Sequence, residues 1–206
     1  MNYYEQGLLH IEQKDYSQGE IQLREALQHE KNHPHSEIVF HLAFCLEMQG
    51  HYEEAEMYYE QIELSEASLA IAGNTRFRMG WMSMISKNHV KALNYYKEAL
   101  DLFEKDHHFT MIKECMYWIA ISYESIDQVL KALAYYERIA DDNDWFWDVC
   151  YRKIKCFDKI GAYEKVLACC LEFETRYQMK NDIDRAIKLL PDVLRIKREL
   201  ITLMVE

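Results

Sequence analysis

One pattern recurs along most of this chain: a small residue, a bulky one four positions later, and an apolar one three beyond that. It occurs as Gly19, Leu23, Ala26, then Ala55, Tyr59, Ile62, then Ala92, Tyr96, Ala99, then Ala132, Tyr136, Ile139, and finally Val166, Cys170, Phe173. Steps between the first members are 36, 37, 40 and 34 residues. Spacings of four and three place the members of each set on one face of a helix. The plainest copies are KALNYYKEAL at 91–100 and KALAYYERIA at 131–140. Twelve residues before each small residue stands Gly7, Ala43, Gly80, Ala120 or Ile154, inside another helical pattern. Small residues on two successive helices let them cross closely, so the repeating unit is a helical hairpin. Gly50-His51-Tyr52 and Gly161-Ala162-Tyr163 mark two of the turns, since glycine suits the left-handed position just past a helix end.

Two prolines and six glycines in 206 residues leave too little turn punctuation for an all-β chain. A lone hairpin buries one face only, so the hairpins must stack. The patterns predict helices over 3–13 and 16–30, 36–49 and 52–64, 68–87 and 89–104, 109–125 and 128–140, and 145–160 and 163–176. Ser36 is expected to cap the third helix, and Asp144 the ninth, after a loop at Asp141–Asp144. Arg76 and Ser83 stand where the third hairpin calls for large apolar residues, which points to a shifted register there.

The arrangement resembles the tetratricopeptide repeat. The second hairpin carries Val39, Leu42-Ala43, Leu46, Gly50, Tyr52, Ala55 and Tyr59, and the fourth carries Met116, Ile119-Ala120, Tyr123, Ala132 and Tyr136. The resemblance implies an all-α, right-handed superhelical solenoid of about five hairpins spanning 1–180. The repeats fall at about 2–33, 36–69, 73–106, 113–146 and 147–180. Residues 181–206 form a C-terminal capping helix, with Ile183, Ile187, Leu190, Leu194 and Ile201 on one face. Pro191 is expected to break or kink it, because proline lacks a donor and clashes one turn back. An amphipathic helix docking on a partner is the other reading of this tail.

In such repeats the first helices line a concave groove. The resemblance therefore implies a peptide- or partner-binding surface at Tyr4, Phe40, Phe44, Phe77, Arg78, Trp81, Tyr117, Ile121, Tyr151 and Lys155, continued by Glu47 and Glu124. The alternative is that superhelical twist or the tail buries this stripe. Some family members clamp a chaperone's C-terminal carboxylate with Lys, Asn and Arg. Phe40, Phe44, Phe77, Tyr117 and Ile121 argue against that here, as does Trp81 with its single N–H. The third and fourth hairpins are also similar to the repeat domain of peptide-pheromone regulators of Gram-positive bacteria. That likeness implies, as an alternative function, a sensor of a signalling peptide without a DNA-binding domain.

The net charge of −11 argues against a nucleic-acid partner. No run of about 18 apolar residues predicts a membrane span, and MNYYEQGLLH has no secretory pattern. Cys45, Cys115, Cys150, Cys156, Cys169 and Cys170 replace apolar residues at irregular spacing, which fits reduced core thiols in a cytoplasmic protein. His29, His33 and His35, like His107-His108, have no nearby cysteines to complete a zinc set and read as loop histidines. Asp141–Asp144 lacks the glycine and distant glutamate of a calcium loop. With no phosphate loop, serine elbow or metal-binding His pair, no catalytic residue, metal or cofactor is expected. The chain reads as a non-enzymatic scaffold for a protein or peptide, with a homodimer as one option.

Overall fold

The computed structural model describes residues 2–29, 33–139, 145–179 and 184–205. The expected loop at Asp141–Asp144 with its cap, and Ile183 in the tail, lie outside the described residues. The described helices are α1 (Tyr3–Glu12), α2 (Tyr16–His29), α3 (His35–Met48), α4 (Tyr52–Glu60), α5 (Leu69–Ile85) and α6 (His89–Lys105). They continue as α7 (Phe109–Ser125), α8 (Val129–Ile139), α9 (Phe146–Lys159), α10 (Tyr163–Met179) and α11 (Asp184–Val205). No strand occurs among the described residues. The chain forms two compact units, residues 1–115 and 116–206.

In the first unit α1 pairs with α2, α3 with α4 and α5 with α6, and the first helices also stack, α1 on α3 and α3 on α5. In the second unit α9 packs on α8, α10 and α11, and α11 lies against both α9 and α10.

One backbone device sets the register of every hairpin. Five residues before each second-helix small residue, the chain enters the left-handed region: Lys14 (φ 62°), Gly50 (84°), Lys87 (60°), Asp127 (63°) and Gly161 (69°). Each of these N–H groups donates to the carbonyl three residues back, and the next N–H donates to the carbonyl five back. Gly50 reaches Glu47 (2.9 Å) and His51 reaches Leu46 (2.9 Å), and Asp127 and Gln128 repeat this on Glu124 (3.1 Å) and Tyr123 (2.9 Å). These are Schellman ends, which satisfy carbonyls that a helix terminus leaves open. The third hairpin ends the same way, Lys87 on Met84 and Asn88 on Ser83, so its register is not shifted. Arg76 is accommodated by reaching out to Glu98 (2.7 Å), and Ser83 by donating to the Met79 carbonyl (2.8 Å).

Only two of the five turns use glycine, although other residues lose roughly 1–2 kcal/mol in this conformation. Lys87→Gly is therefore expected to raise stability by about 0.5–1 kcal/mol, and Gly50→Ala to lower it by about 1 kcal/mol. A Cβ on Gly50 would meet nothing within 4 Å, so that loss is conformational alone. Urea denaturation midpoints of the two variants check both signs.

At the crossings the small residues touch bulky ones. A Cβ on Gly7 would lie 2.7 Å from Leu23 Cγ, and one on Gly80 would lie 2.8 Å from the Tyr96 ring. Tyr59, Tyr96 and Tyr136 are all fully buried. The six cysteines are free and buried. Burial pushes the Cys45 thiol up to about 12 and that of Cys170 to about 11, and it also raises Cys115, Cys150 and Cys169.

One local expectation fails, and so does the break that was one of two outcomes expected at Pro191. Ser36 lies inside the first turn of α3, because Pro34 starts the helix one residue earlier, its carbonyl accepting from the N–H groups of Glu37 (3.1 Å) and Ile38 (3.4 Å). Pro191 does not break α11, which runs unbroken from Asp184 to Val205. The helix is held on both sides of the proline by buried residues, Ala186 before it and Val193, Ile196 and Leu200 after it.

Candidate functional site

Apart from Arg78, which stands two before Gly80, the expected groove residues fall at two positions relative to the first-helix small residue, three before it and one after it. Those three before are mostly core. Tyr4, Phe40, Phe77 and Tyr117 are buried. Three of these rings lie on the tyrosine of their own second helix: Phe40 on Tyr59 (5.8 Å between centroids), Phe77 on Tyr96 (5.3 Å) and Tyr117 on Tyr136 (6.2 Å). Tyr4 instead turns its hydroxyl toward Glu37 Oε2 (3.4 Å) and His41 Nδ1 (3.3 Å). Ile121, one residue after the small position, is buried as well. Phe44, Arg78, Trp81 and Tyr151 are half-buried, and Lys155 is exposed. The open surface is therefore narrower than the sequence suggested, because tight crossings draw the rings onto the second helices.

In the first unit this surface gathers around Glu47. Its side chain is 3% exposed, and it accepts from the Tyr59 hydroxyl (3.0 Å) and from Arg78 Nη1 (3.1 Å). The Arg78 guanidinium lies 4.7 Å from the Phe44 ring centre, within cation–π range. Burial, then the Glu47 charge, raises the Tyr59 hydroxyl well above the ordinary tyrosine range. Arg78, expected from sequence as a cation facing the groove, is thus committed to a buried carboxylate.

The second unit repeats the arrangement with residues at the same repeat positions. Glu124 accepts from Arg152 Nη1 (2.9 Å) and from the Cys156 thiol (3.3 Å). Burial, then Glu124, raises the Tyr136 hydroxyl, and the same two causes push the Cys156 thiol up to about 12. Beside this node a cavity of about 380 Å³ is lined by Glu124, Val129, Lys155, Cys156, Asp158 and Lys159. Tyr151 donates to Asp192 Oδ2 (2.6 Å), which ties α9 to α11.

Both nodes were hidden from sequence reasoning, which took Tyr59 and Tyr136 only as the bulky members of the repeating pattern. The signal that finds them is a three-part rule: Glu four after the first-helix small residue, Tyr four after the second-helix one, and Arg two before the next hairpin's first. Only the second and fourth hairpins satisfy it, as Glu47, Tyr59, Arg78 and as Glu124, Tyr136, Arg152.

Among the described residues, no group of three or more His, Cys, Asp or Glu side chains could hold a metal ion. Among them, too, no helix is long and apolar enough to cross a membrane.

A family model described as tetratricopeptide repeat matches residues 114–143. No curated protein matches the chain. Among solved structures, the apo form of RapI has a TM-score of 0.75 at 14% identity, over 91% of this chain and 56% of RapI. This chain thus spans little more than half of RapI's length. A tetratricopeptide repeat protein from Parabacteroides merdae ATCC 43184 has a TM-score of 0.70 at 18% identity, over 97% of this chain and 75% of that one. YrrB, described as a tetratricopeptide protein with an unusual peptide-binding site, has a TM-score of 0.66 at 16% identity, over 95% and 90% of the two chains. At such identities these likenesses speak for the fold. With the hairpin register, the matched repeat at 114–143 and these structural relatives together, this chain carries a tetratricopeptide repeat and has the fold of tetratricopeptide-repeat proteins.

Proposed function

We propose that the chain is a non-catalytic interaction module that binds a peptide or helix of another protein on the first-helix face of its repeats. The observation that carries this reading is the half-buried Phe44 and Arg78, stacked at 4.7 Å beside the buried Glu47, with half-buried Trp81 at the same first-helix position as Phe44 in the next hairpin. Aromatic and arginine side chains on a rigid floor are the composition of binding hot spots, because they lose little freedom when covered. Arg78 already shares its charge with Glu47. Its remaining N–H groups therefore suit neutral acceptors, such as backbone carbonyls or carboxamides, better than a carboxylate. The fold likeness to YrrB supports the class of ligand. Six free thiols support a reducing, cytoplasmic setting.

An array of random twelve-residue peptides, probed with the intact chain, tests this. We expect retained peptides to bear aromatic or large apolar residues, and Trp81→Ala and Phe44→Ala each to weaken them about tenfold or more. Binding is measured well below each variant's melting temperature, because Phe44→Ala also removes the ring under Arg78 and lowers stability. Unchanged binding in both variants would remove the reading.

A further inference from the structure

α11 is apolar on more than one side. Its inner face, Ala186, Val193, Ile196 and Leu200, is buried. Lys197 Nζ on Glu174 (2.7 Å), and Tyr151 on Asp192, fix the helix to the preceding hairpin. On another face Ile187, Leu194 and Ile201 are 49%, 40% and 44% exposed. Steps of seven residues are close to two helical turns, so the three line one stripe. The stripe is symmetric about its middle member, with isoleucine seven residues to either side of Leu194.

We propose that this stripe seats a second copy of the chain, with two α11 helices packed antiparallel about a twofold axis at Leu194. Such an axis places Leu194 on its own counterpart and Ile187 on Ile201, twice over. This is the self-matching that an isologous contact requires and that an unrelated partner would not. The flanking charges select the direction. In the antiparallel pair, residues equally far before and after Leu194 face one another, so Arg198 meets Leu190 and Lys197 meets Pro191. A parallel pair would set Arg198 against Arg198. Arg195 is already paired within its own helix, with Glu199 (3.1 Å) and Asp192. Because the inner face holds α11 in place, pairing has little backbone left to order. A stripe of three side chains, each 40–49% exposed, is small beside the roughly 1,200 Å² at which stable interfaces begin, so the dimer forms reversibly and at high concentration.

Sedimentation of the intact 206-residue chain, with cysteine cross-linking, tests the proposal. The parent is expected to be dimeric at about 100 μM, and Leu194→Glu to raise the dissociation constant about 30-fold or more. The melting curve of that variant at low concentration should match the parent, because Leu194 is not core. Under mild oxidation Leu194→Cys should cross-link to itself. Ile187→Cys and Ile201→Cys should cross-link only when mixed, while the parent with its six buried thiols stays uncross-linked. A parent monomeric at about 100 μM overturns the proposal. So does a dimer indifferent to Leu194→Glu, or an Ile187→Cys chain that cross-links efficiently with itself.

Discussion

Arg78→Ala is expected to destabilise the first unit by about 3 kcal/mol or more, among the largest losses any single substitution here would produce. The reason lies in Glu47, whose carboxylate is buried and held by Tyr59 and Arg78. Removing the guanidinium leaves an ion with one neutral donor and strips the cover from Phe44. The Arg78 side chain is 31% exposed, so water can enter the gap, which sets the expectation at the lower end of the range for broken buried pairs. Arg78→Lys keeps the charge but loses the planar stack on Phe44, and should fall between the parent and the alanine variant. The double change Glu47→Leu with Arg78→Met should recover most of the loss, because it removes both charges together. Urea denaturation of the four chains measures this. A loss under about 1 kcal/mol for Arg78→Ala would mean that the pair contributes no more than a surface bridge.

Tyr96→Ala should cost about 3–5 kcal/mol, since it empties a fully buried ring site. The ring fills the space between Phe77, 5.3 Å away, and the bare backbone of Gly80. Gly80→Ala alone should cost about 1–3 kcal/mol, because its new methyl would press on a ring that has nowhere to move. Combined, the two changes should cost less than their sum, as the alanine at 80 then faces a cavity instead of a ring. A double-mutant cycle by thermal denaturation reads this coupling. Strict additivity would show that Gly80 and Tyr96 do not share one packing site.

The first four hairpins were legible because Gly or Ala recurs at the matching positions of both helices, whereas the fifth carries Ile154 and Val166 there. Gly7 with Gly19 and Gly80 with Ala92 could be paired from spacing alone. Turn geometry was half legible. Gly50 and Gly161 announce a left-handed residue, whereas Lys14, Lys87 and Asp127 adopt the same conformation without the residue type that advertises it. The groove was the least legible part. Helical spacing gives the face on which Phe40 and Phe77 lie, but not how closely the neighbouring helix approaches, and that approach decides whether a ring is floor or surface. Pairing was equally hidden, since Arg78 meets Glu47 across 31 residues and only the assembled hairpins bring them together.

The buried thiols have a consequence of their own. A reagent that attacks thiolates meets almost none on the folded chain at neutral pH, because each sulfur is both sheltered and held in its protonated form. Labelling must then wait for local opening, and its pace becomes a clock for that opening. The clocks are distributed: Cys45 sits on the second hairpin, Cys115 at the start of the fourth, and Cys150, Cys156, Cys169 and Cys170 on the fifth. The chain thus carries native probes of which hairpin breathes first, and a partner that grips one hairpin would slow the clock it covers.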